Sequence, residues 1–182
     1  AAGLVEALAV PMSVLTILAC IVAVILIIPL FMRKVHHVQR EIMVNVTAQQ
    51  AFSFLKMLKN HEKFNKWAGA DPSRKEEFKG NDGTPGFIYA WNGNKNAGQG
   101  EKEIMKMIEG QKIEVDIRFV KPFKVTAHFH ITTEALTDNQ TKVILSNTSA
   151  LMYPLNIMVP MVEKSLAKDM DESLNVLKKL LE

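Results

Sequence analysis

Two stretches of the chain alternate hydrophobic and polar residues with a period of two, which is the pattern of a strand that buries one face. In the first, the apolar positions are Ile113, Val115, Ile117 and Phe119, and in the second they are Val125, Ala127, Phe129 and Ile131. Because charged residues, threonine and histidine occupy the positions between them, the other face is polar. We therefore expect a sheet with helices packed on one side only.

Turn signals rich in Gly, Asn, Asp and Pro divide the region before and after these stretches into further short strands. The predicted strands are 40–46, 75–79, 87–91, 101–108, 112–120, 124–133 and 142–152. Most of the connections between consecutive strands are only a few residues long, which forces neighbours to pair antiparallel. The pattern predicts an antiparallel meander.

Helical periodicity appears at the C-terminus and after the first predicted strand. Residues 157–182 carry an apolar stripe with steps of three or four, typical of one long amphipathic helix; its members are Val159, Val162, Leu166, Met170, Leu174, Leu177 and Leu181. Thr47-Ala-Gln-Gln50 is a capping box, which predicts a helix beginning there. That helical segment breaks near Asn60 into two short helices and ends at Trp67.

Residues 7–32 contain no charged side chain and are rich in Val, Ile and Leu. This exceeds the ~20 apolar residues that span a bilayer, and a signal peptide has a shorter apolar core. We predict a transmembrane helix at 7–32, a linker at 33–39 and a folded domain at 40–182, hence a single-pass membrane protein. Cys20, the only cysteine, lies within the predicted span, so no disulfide forms within the chain.

The basic residues Arg33, Lys34 and Arg40 follow the predicted span, whereas only Glu6 precedes it. The positive-inside rule therefore favours a cytoplasmic domain. The sequence begins without methionine, and basic residues further upstream would reverse this orientation, so both sides of the membrane stay open.

Composition and motifs argue against several function classes. The net charge is only +3 and the lysines are scattered, so nucleic acid is not an expected partner. The sequence contains no Gly-x-Ser-x-Gly motif, no cysteine outside the apolar segment, no phosphate loop and no metal-ligand spacing. We accordingly predict no catalytic residue of these kinds, no metal site and no cofactor.

The order of elements resembles the helix-grip fold of the START-like superfamily, also called SRPBCC, and within it the polyketide cyclase/dehydrase and lipid-transport branch. The resemblance covers about 38–182 and rests on residues 40–52, Asn65-Lys-Trp67, Gly86 to Trp91, Gly98-Gln-Gly-Glu101 and the closing helix. It implies an α+β fold in which a curved antiparallel sheet of about seven strands, with two short helices, grips the long C-terminal helix. It also implies a ligand cavity between that sheet and the helix.

Strand parity predicts which side chains face this cavity. If Lys102 and Lys106 face water, then Glu101, Glu103, Met105 and Met107 point inward. A buried carboxyl group there would act as a general acid or base or would hold the polar head of a ligand. The alternative is that Glu101 lies at the rim and that a β-bulge reverses the parity of the strand.

Aromatic and methionine side chains complete the predicted site. Tyr89 and Trp91 share a strand face and carry a hydroxyl group and an indole N–H that can form hydrogen bonds. Methionines on the last helix would add flexible apolar side chains to the cavity lining. The predicted ligand-binding set is Tyr89, Trp91, Glu101, Glu103, Met105, Met107, Phe119, Phe129, Met158 and Met161.

Three functional hypotheses follow from the sequence. The first is a membrane-tethered binding module for a hydrophobic molecule such as a lipid, an isoprenoid or a polyketide-like compound. The second is an accessory subunit that meets its partners in a membrane complex through the transmembrane helix and whose cavity is filled by side chains. The third is a cyclase or dehydratase in which Glu103 moves a proton.

Overall fold

The computed structural model describes residues 11–67 and 71–182. The helices are α1 (Met12–Phe31), α2 (Ala48–Leu55), α3 (Leu58–Phe64) and α4 (Val159–Leu181), and a 3-10 helix (Leu155–Met158) directly precedes α4. The strands are β1 (Val35–Val44), β2 (Lys75–Lys79), β3 (Ile88–Asn92), β4 (Gln99–Ile108), β5 (Lys112–Lys121), β6 (Val125–Thr137) and β7 (Gln140–Ala150).

The seven strands form one antiparallel sheet in the order β1-β7-β6-β5-β4-β3-β2. The predicted architecture of a meander with two short helices and a long C-terminal helix is confirmed. The first strand begins earlier than predicted, because Val35 already pairs with Ala150 at the end of β7. Residues 35–39, predicted as part of a linker, therefore belong to β1.

The predicted one-sided burial of the sheet is also confirmed. Ile113, Val115 and Ile131 are almost completely buried against the helices. Helix α4 runs alongside β1 in the same direction, since Arg40 bonds Asp171 near its middle and the backbone N–H of Asn45 bonds Glu182 at its end. The core lies between the inner sheet face and the layer formed by α2, α3 and α4.

Helix α1 is long and apolar enough to cross a membrane, and of its side chains only Pro29 is buried. It lies inside the predicted span 7–32, of which residues 7–10 lie outside the described residues.

Side chains satisfy the backbone groups where α2 and α3 meet. The capping box at the start of α2 is formed as predicted. At its other end, the Asn60 amide donates to the Phe54 carbonyl at 3.0 Å and a ring nitrogen of His61 bonds the Leu55 carbonyl at 2.7 Å. Asp82 then accepts from the first two N–H groups of α3 at 2.7 and 3.1 Å. Few backbone groups at the sharp corner between the two helices are therefore left without a hydrogen bond.

The register of the strands gathers several connections at one end of the sheet. At the end where α1 joins β1, Val35 pairs with Ala150 and Phe119 pairs with Val125. The β3–β4 turn, the β5–β6 turn and the connection from β7 to α4 therefore all lie at this end, called the α1 end below. The β4–β5 and β6–β7 turns lie at the opposite end.

Candidate ligand-binding site

A cavity of about 350 Å³ lies between the inner face of the sheet, α3 and the middle of α4. Cavities that bind small organic molecules are usually of ~300–1,000 Å³. The sheet contributes aliphatic side chains, and α4 covers them from the other side. Apart from the aromatic and charged groups described below, the walls include Val115, Ile117, Leu145, Leu166 and Met170.

Aromatic rings form one wall of the cavity. Tyr89 and Trp91 lie two residues apart on β3 and so share its inner face. Their ring centroids are 6.1 Å apart, and Phe119 on β5 meets the Trp91 ring edge-on at 5.8 Å. Phe129 on β6 lines the same space. These four residues are the members of the predicted set that the structure brings together around the cavity.

Gly100 makes room for the Trp91 ring. The residue pairs with Trp91 across β3 and β4. A Cβ atom at this position would lie 2.8 Å from two indole carbons and 2.6 Å from the Arg118 carbonyl oxygen. Because such contacts are shorter than van der Waals distances, only glycine fits between β5 and the indole, which in turn donates its N–H to the Ala97 carbonyl at 3.0 Å.

One of the charged groups that line the cavity is Lys102, whose side chain is only 9% exposed. Its ammonium bonds the Glu62 carboxylate of α3 at 3.1 Å and lies 5.3 and 5.9 Å from the ring centroids of Tyr89 and Trp91. Burial lowers the pKa of Lys102, and the attraction of Glu62 opposes this without cancelling it. The cavity therefore contains a cation held by one carboxylate and two aromatic faces.

A hydrogen-bond network holds the Glu62 carboxylate in place. Arg74 binds Glu62 and also donates to Glu76 at 2.9 Å and to the Tyr89 hydroxyl at 2.9 Å. The Tyr89 hydroxyl in turn donates to Glu76 at 2.8 Å. Burial, followed by this bond to Glu76, raises the pKa of Tyr89 well above its ordinary value. Burial favours the neutral form of Glu62, but Lys102 and Arg74 together lower its pKa below the usual range. Tyr89 therefore stays neutral while Glu62 stays ionised.

Asn147 on β7 presents a buried polar group to the cavity. The residue is 7% exposed and its Oδ1 atom makes no hydrogen bond with any part of the chain that the structure describes. A buried acceptor without a partner costs ~1–3 kcal/mol relative to one that is satisfied. Asn147 is therefore a position where a bound molecule that donates a hydrogen bond would gain affinity.

His61 belongs to the α3 side of the cavity and is 5% exposed. Because a carbonyl oxygen only accepts, the bond to Leu55 requires the Nε2–H tautomer of the ring. Burial, reinforced by the nearby Lys102 charge, lowers the pKa of His61 to about 4, against the opposing influence of Leu55, Glu62 and Asp82. At neutral pH the ring is an uncharged donor that completes the end of α2.

Glu101, Glu103 and Met105 lie on the outer face of β4 and do not line the cavity, which corrects the predicted parity. Arg118 binds the two carboxylates at 2.8 and 2.5 Å and lies 3.7 Å from the Met105 sulfur. The inward positions of β4 are instead Gly100, Lys102 and Ile104. The prediction failed because it turned both lysines to water, whereas Lys102 is buried through its bond to Glu62.

The three remaining methionines of the predicted set also lie away from the cavity. A register shift between Ile104 and Lys106 reverses the parity of β4, so Met107 packs against the core without reaching the cavity. Met158 and Met161 are 40% and 59% exposed at the α1 end. They precede the part of α4 that covers the cavity, which begins at Leu166.

The sequence interpretation missed the polar residues Glu62, Lys102 and Asn147. One signal was present for Lys102, since it pairs directly with Tyr89 across β3 and β4 and so shares its face. Using this pairing as a prediction would have required the register of the β3–β4 hairpin, and the long turn of that hairpin does not fix the register. Among the described residues, no three His, Cys, Asp or Glu side chains are grouped as metal ligands.

Comparisons with known proteins identify the fold. No protein-family model matches the chain, and a search of curated protein sequences also found no match. Solved structures do match. A truncated norcoclaurine synthase from Thalictrum flavum has a TM-score of 0.62 at 13% identity, with 83% of this chain and 96% of that one covered. The fold is a helix grip.

Two further structures carry the same likeness. Ara h 8.0201 has a TM-score of 0.57 at 18% identity and covers 81% of this chain and 97% of its own. The hypothetical protein jhp0584 from Helicobacter pylori has a TM-score of 0.60 at 10% identity, with coverages of 81% and 88%. At such identities the likeness establishes the shared fold and leaves the activity to be argued from the site.

Proposed function

We propose that this chain is a membrane-tethered binding module that holds an apolar molecule with a hydroxyl or carbonyl group in the cavity between sheet and α4. Lipids, isoprenoids and polyketide-like compounds have this character, in keeping with the lipid-transport branch that the sequence resembles. Helix α1 would tether the module, and tethering would raise the effective concentration of membrane-dissolved ligands at the cavity.

The observation that carries the proposal is the composition of the cavity wall. Aliphatic and aromatic side chains supply most of the surface, which favours an apolar ligand at ~25 cal/mol per Å² buried. The Asn147 Oδ1 atom requires a donor, and Lys102 offers N–H groups beyond the one bonded to Glu62. A ligand hydroxyl group would donate to Asn147, and a ligand oxygen in another part of the cavity would accept from Lys102, since two strands separate β7 from β4.

The other two hypotheses from the sequence receive less support. The accessory-subunit hypothesis required a cavity filled by side chains, and the space of about 350 Å³ favours binding instead. The cyclase hypothesis required Glu103 inside the cavity, but this carboxylate is paired with Arg118 on the outer face. A norcoclaurine synthase has been solved in complex with dopamine and hydroxybenzaldehyde, which supports the capacity of the fold to hold small organic molecules.

The test uses the full chain in amphipol with Trp67→Phe, which leaves Trp91 as the only tryptophan. Titration with 1-dodecanol and with its methyl ether should change Trp91 fluorescence saturably for both. The alcohol should bind roughly tenfold more tightly, as one hydrogen bond to an otherwise unsatisfied group provides.

The variant Asn147→Leu should abolish the preference for the alcohol and at the same time raise the stability of the protein, because it removes an unsatisfied buried acceptor. Ser146→Val, on the outer face of the same strand, is the matched control and should leave the preference intact. Absence of saturable binding of either compound would refute the proposed function. Binding without any preference would refute the role of Asn147.

A further inference from the structure

We propose that the α1 end of the sheet is a docking surface for the lipid bilayer, which turns the mouth of the cavity towards the membrane. The inference rests on the proposed function, because it takes α1 as a membrane helix. The surface, called the docking rim below, consists of two exposed apolar segments, residues 119–123 and 152–161, together with the basic side chains beside them.

The first segment is the turn between β5 and β6. Its tip reads Lys121-Pro-Phe-Lys124, and the Phe123 side chain is 67% exposed. Val120 just before it is also exposed. An aromatic ring at the tip of a turn, with a lysine on either side, combines apolar insertion with attraction to anionic headgroups.

The second segment connects β7 to α4 and includes the 3-10 helix. Five large apolar side chains are exposed within ten residues, with Met152 at 70% and Met161 at 59%; the other three are Tyr153, Leu155 and Met158. A contiguous apolar surface of this kind is unusual on a protein in water and marks an interaction site.

Hydrogen bonds hold this second segment level with the last turns of α1. The Tyr153 hydroxyl donates to the Leu26 carbonyl at 3.0 Å, and the Asn156 amide donates to the Pro29 and Met32 carbonyls at 2.7 and 3.1 Å. Leu26 lies ~7.5 Å along the helix axis before its end at Phe31. If α1 crosses a bilayer, Tyr153 lies at the depth where tyrosine is enriched, the boundary between hydrocarbon and headgroups.

Exposed basic side chains lie beside the apolar segments. Arg33 and Lys34 follow α1, and Lys121 and Lys124 flank Phe123, so four exposed basic residues lie at the α1 end. Arg33 is paired with Glu163 of α4, which leaves the other three as the cations of the docking rim. Anionic lipids attract basic side chains by ~1 kcal/mol each near the surface. This charge distribution favours a bilayer surface as the occupant of the docking rim.

The exposed lining residues Asn96, Lys121 and Pro122 place the mouth of the cavity at the same end. Residues 96–98 of the β3–β4 turn line it, together with Lys121 and Pro122 beside the first apolar segment. A molecule dissolved in the bilayer would therefore enter the cavity beside the docking rim without crossing bulk water. The rim accordingly acts as an entrance to the site as well as an anchor.

Depth-dependent fluorescence quenching tests the docking rim. The full chain is reconstituted into nanodiscs that contain anionic phospholipid and nitroxide-labelled lipids, with an environment-sensitive fluorophore on Phe123→Cys in a Cys20→Ser background. The matched control is Asp138→Cys at the opposite end of the sheet. The probe at 123 should be quenched several-fold more than the probe at 138. Equally weak quenching at both positions would overturn the proposal.

Two further measurements separate this outcome from failure of the proposed function. A fluorophore on the native Cys20 reports insertion of α1 by itself, so quenching at 20 without quenching at 123 refutes docking while the tether remains. Titration of dodecanol in amphipol reports cavity binding without any bilayer. Quenching at 123 without dodecanol binding would refute the proposed ligand and support the docking rim.

A kinetic comparison tests the role of the rim as an entrance. Phe123→Asp should slow the response of Trp91 to dodecanol preloaded in the nanodisc several-fold, while the affinity measured in amphipol stays unchanged. Leu136→Asp, an exposed apolar position near the opposite end, should change neither. Equal uptake rates in the two variants would refute the entrance role. If the probe at position 123 becomes shielded from solvent only after another protein is added, the docking rim binds a protein partner, and the proposal is overturned.

Discussion

Protonation of His61 should be one cause of destabilisation when the pH falls. His61 is buried, donates to the Leu55 carbonyl and lies near the Lys102 ammonium, which together with burial holds its pKa at about 4. The unfolded chain takes up this proton near the ordinary histidine pKa of 6.5, whereas the folded chain does so only near its lowered pKa of about 4. The contribution of His61 to stability is therefore fully present above pH 6.5 and is lost as the pH falls from 6.5 to 4.

The size of the effect follows from the difference between the two pKa values. Each unit corresponds to ~1.36 kcal/mol, so the complete loss approaches ~3 kcal/mol, of which ~2 kcal/mol is expected between pH 7.5 and pH 5. This is a large fraction of the ~5–15 kcal/mol that stabilises an ordinary domain. The nearby charges of Lys102, Glu62 and Asp82 are included in this difference.

Urea unfolding of the full chain in detergent, followed by tryptophan fluorescence across this pH range, measures the loss. His61→Gln is the matched variant, because its amide retains a donor for the Leu55 carbonyl and does not titrate. The wild type should lose ~2 kcal/mol more than this variant between pH 7.5 and pH 5. If the two proteins lose stability in parallel, His61 is not protected from protonation and the reasoning is wrong. In histidine NMR spectra, the ring should show no titration above pH 5.

Four further variants test other contacts of the fold. Gly100→Ala should cost ~1–3 kcal/mol and shift Trp91 fluorescence, because the new methyl group overlaps the indole; an unchanged spectrum and unfolding midpoint would contradict this. Glu62→Gln should destabilise the domain by ~2–4 kcal/mol, since it leaves Lys102 buried without a carboxylate. Lys102→Met should change the stability by less than ~1 kcal/mol, because Glu62 keeps its bond to Arg74. Chemical denaturation measures both losses, and equal losses would refute the argument. Asn156→Ala removes the donor to the last carbonyls of α1 and should speed trypsin cleavage at the basic pair that follows the helix; an unchanged cleavage rate would indicate that the joint does not depend on this side chain.

Local sequence patterns were sufficient for most of the fold. Alternation in β5 and β6, the apolar stripe of α4 and the capping box at Thr47 each depend on residues a few positions apart, and all are present in the structure. The candidate site was only partly predictable. The aromatic wall was predicted because Tyr89 and Trp91 share one face of β3, and because Phe119 and Phe129 lie on the apolar faces of β5 and β6.

The orientation of β4 could not be predicted from local sequence patterns. Its sequence places charged and apolar residues on both faces, so a shift of one residue exchanges the inside and the outside. The choice was made by contacts distant in sequence: Gly100 admits the Trp91 ring, and Glu62 on α3, 40 residues from Lys102, binds the buried ammonium. The shift between Ile104 and Lys106 then reverses the parity again.

The sequence by itself therefore determined the elements of this protein, because helix and strand periodicity is a property of neighbouring residues. Only the tertiary structure decided which polar groups enter the cavity and where its mouth lies. The burial of a charge depends on the partner that meets it, and here that partner is supplied by another element of the fold.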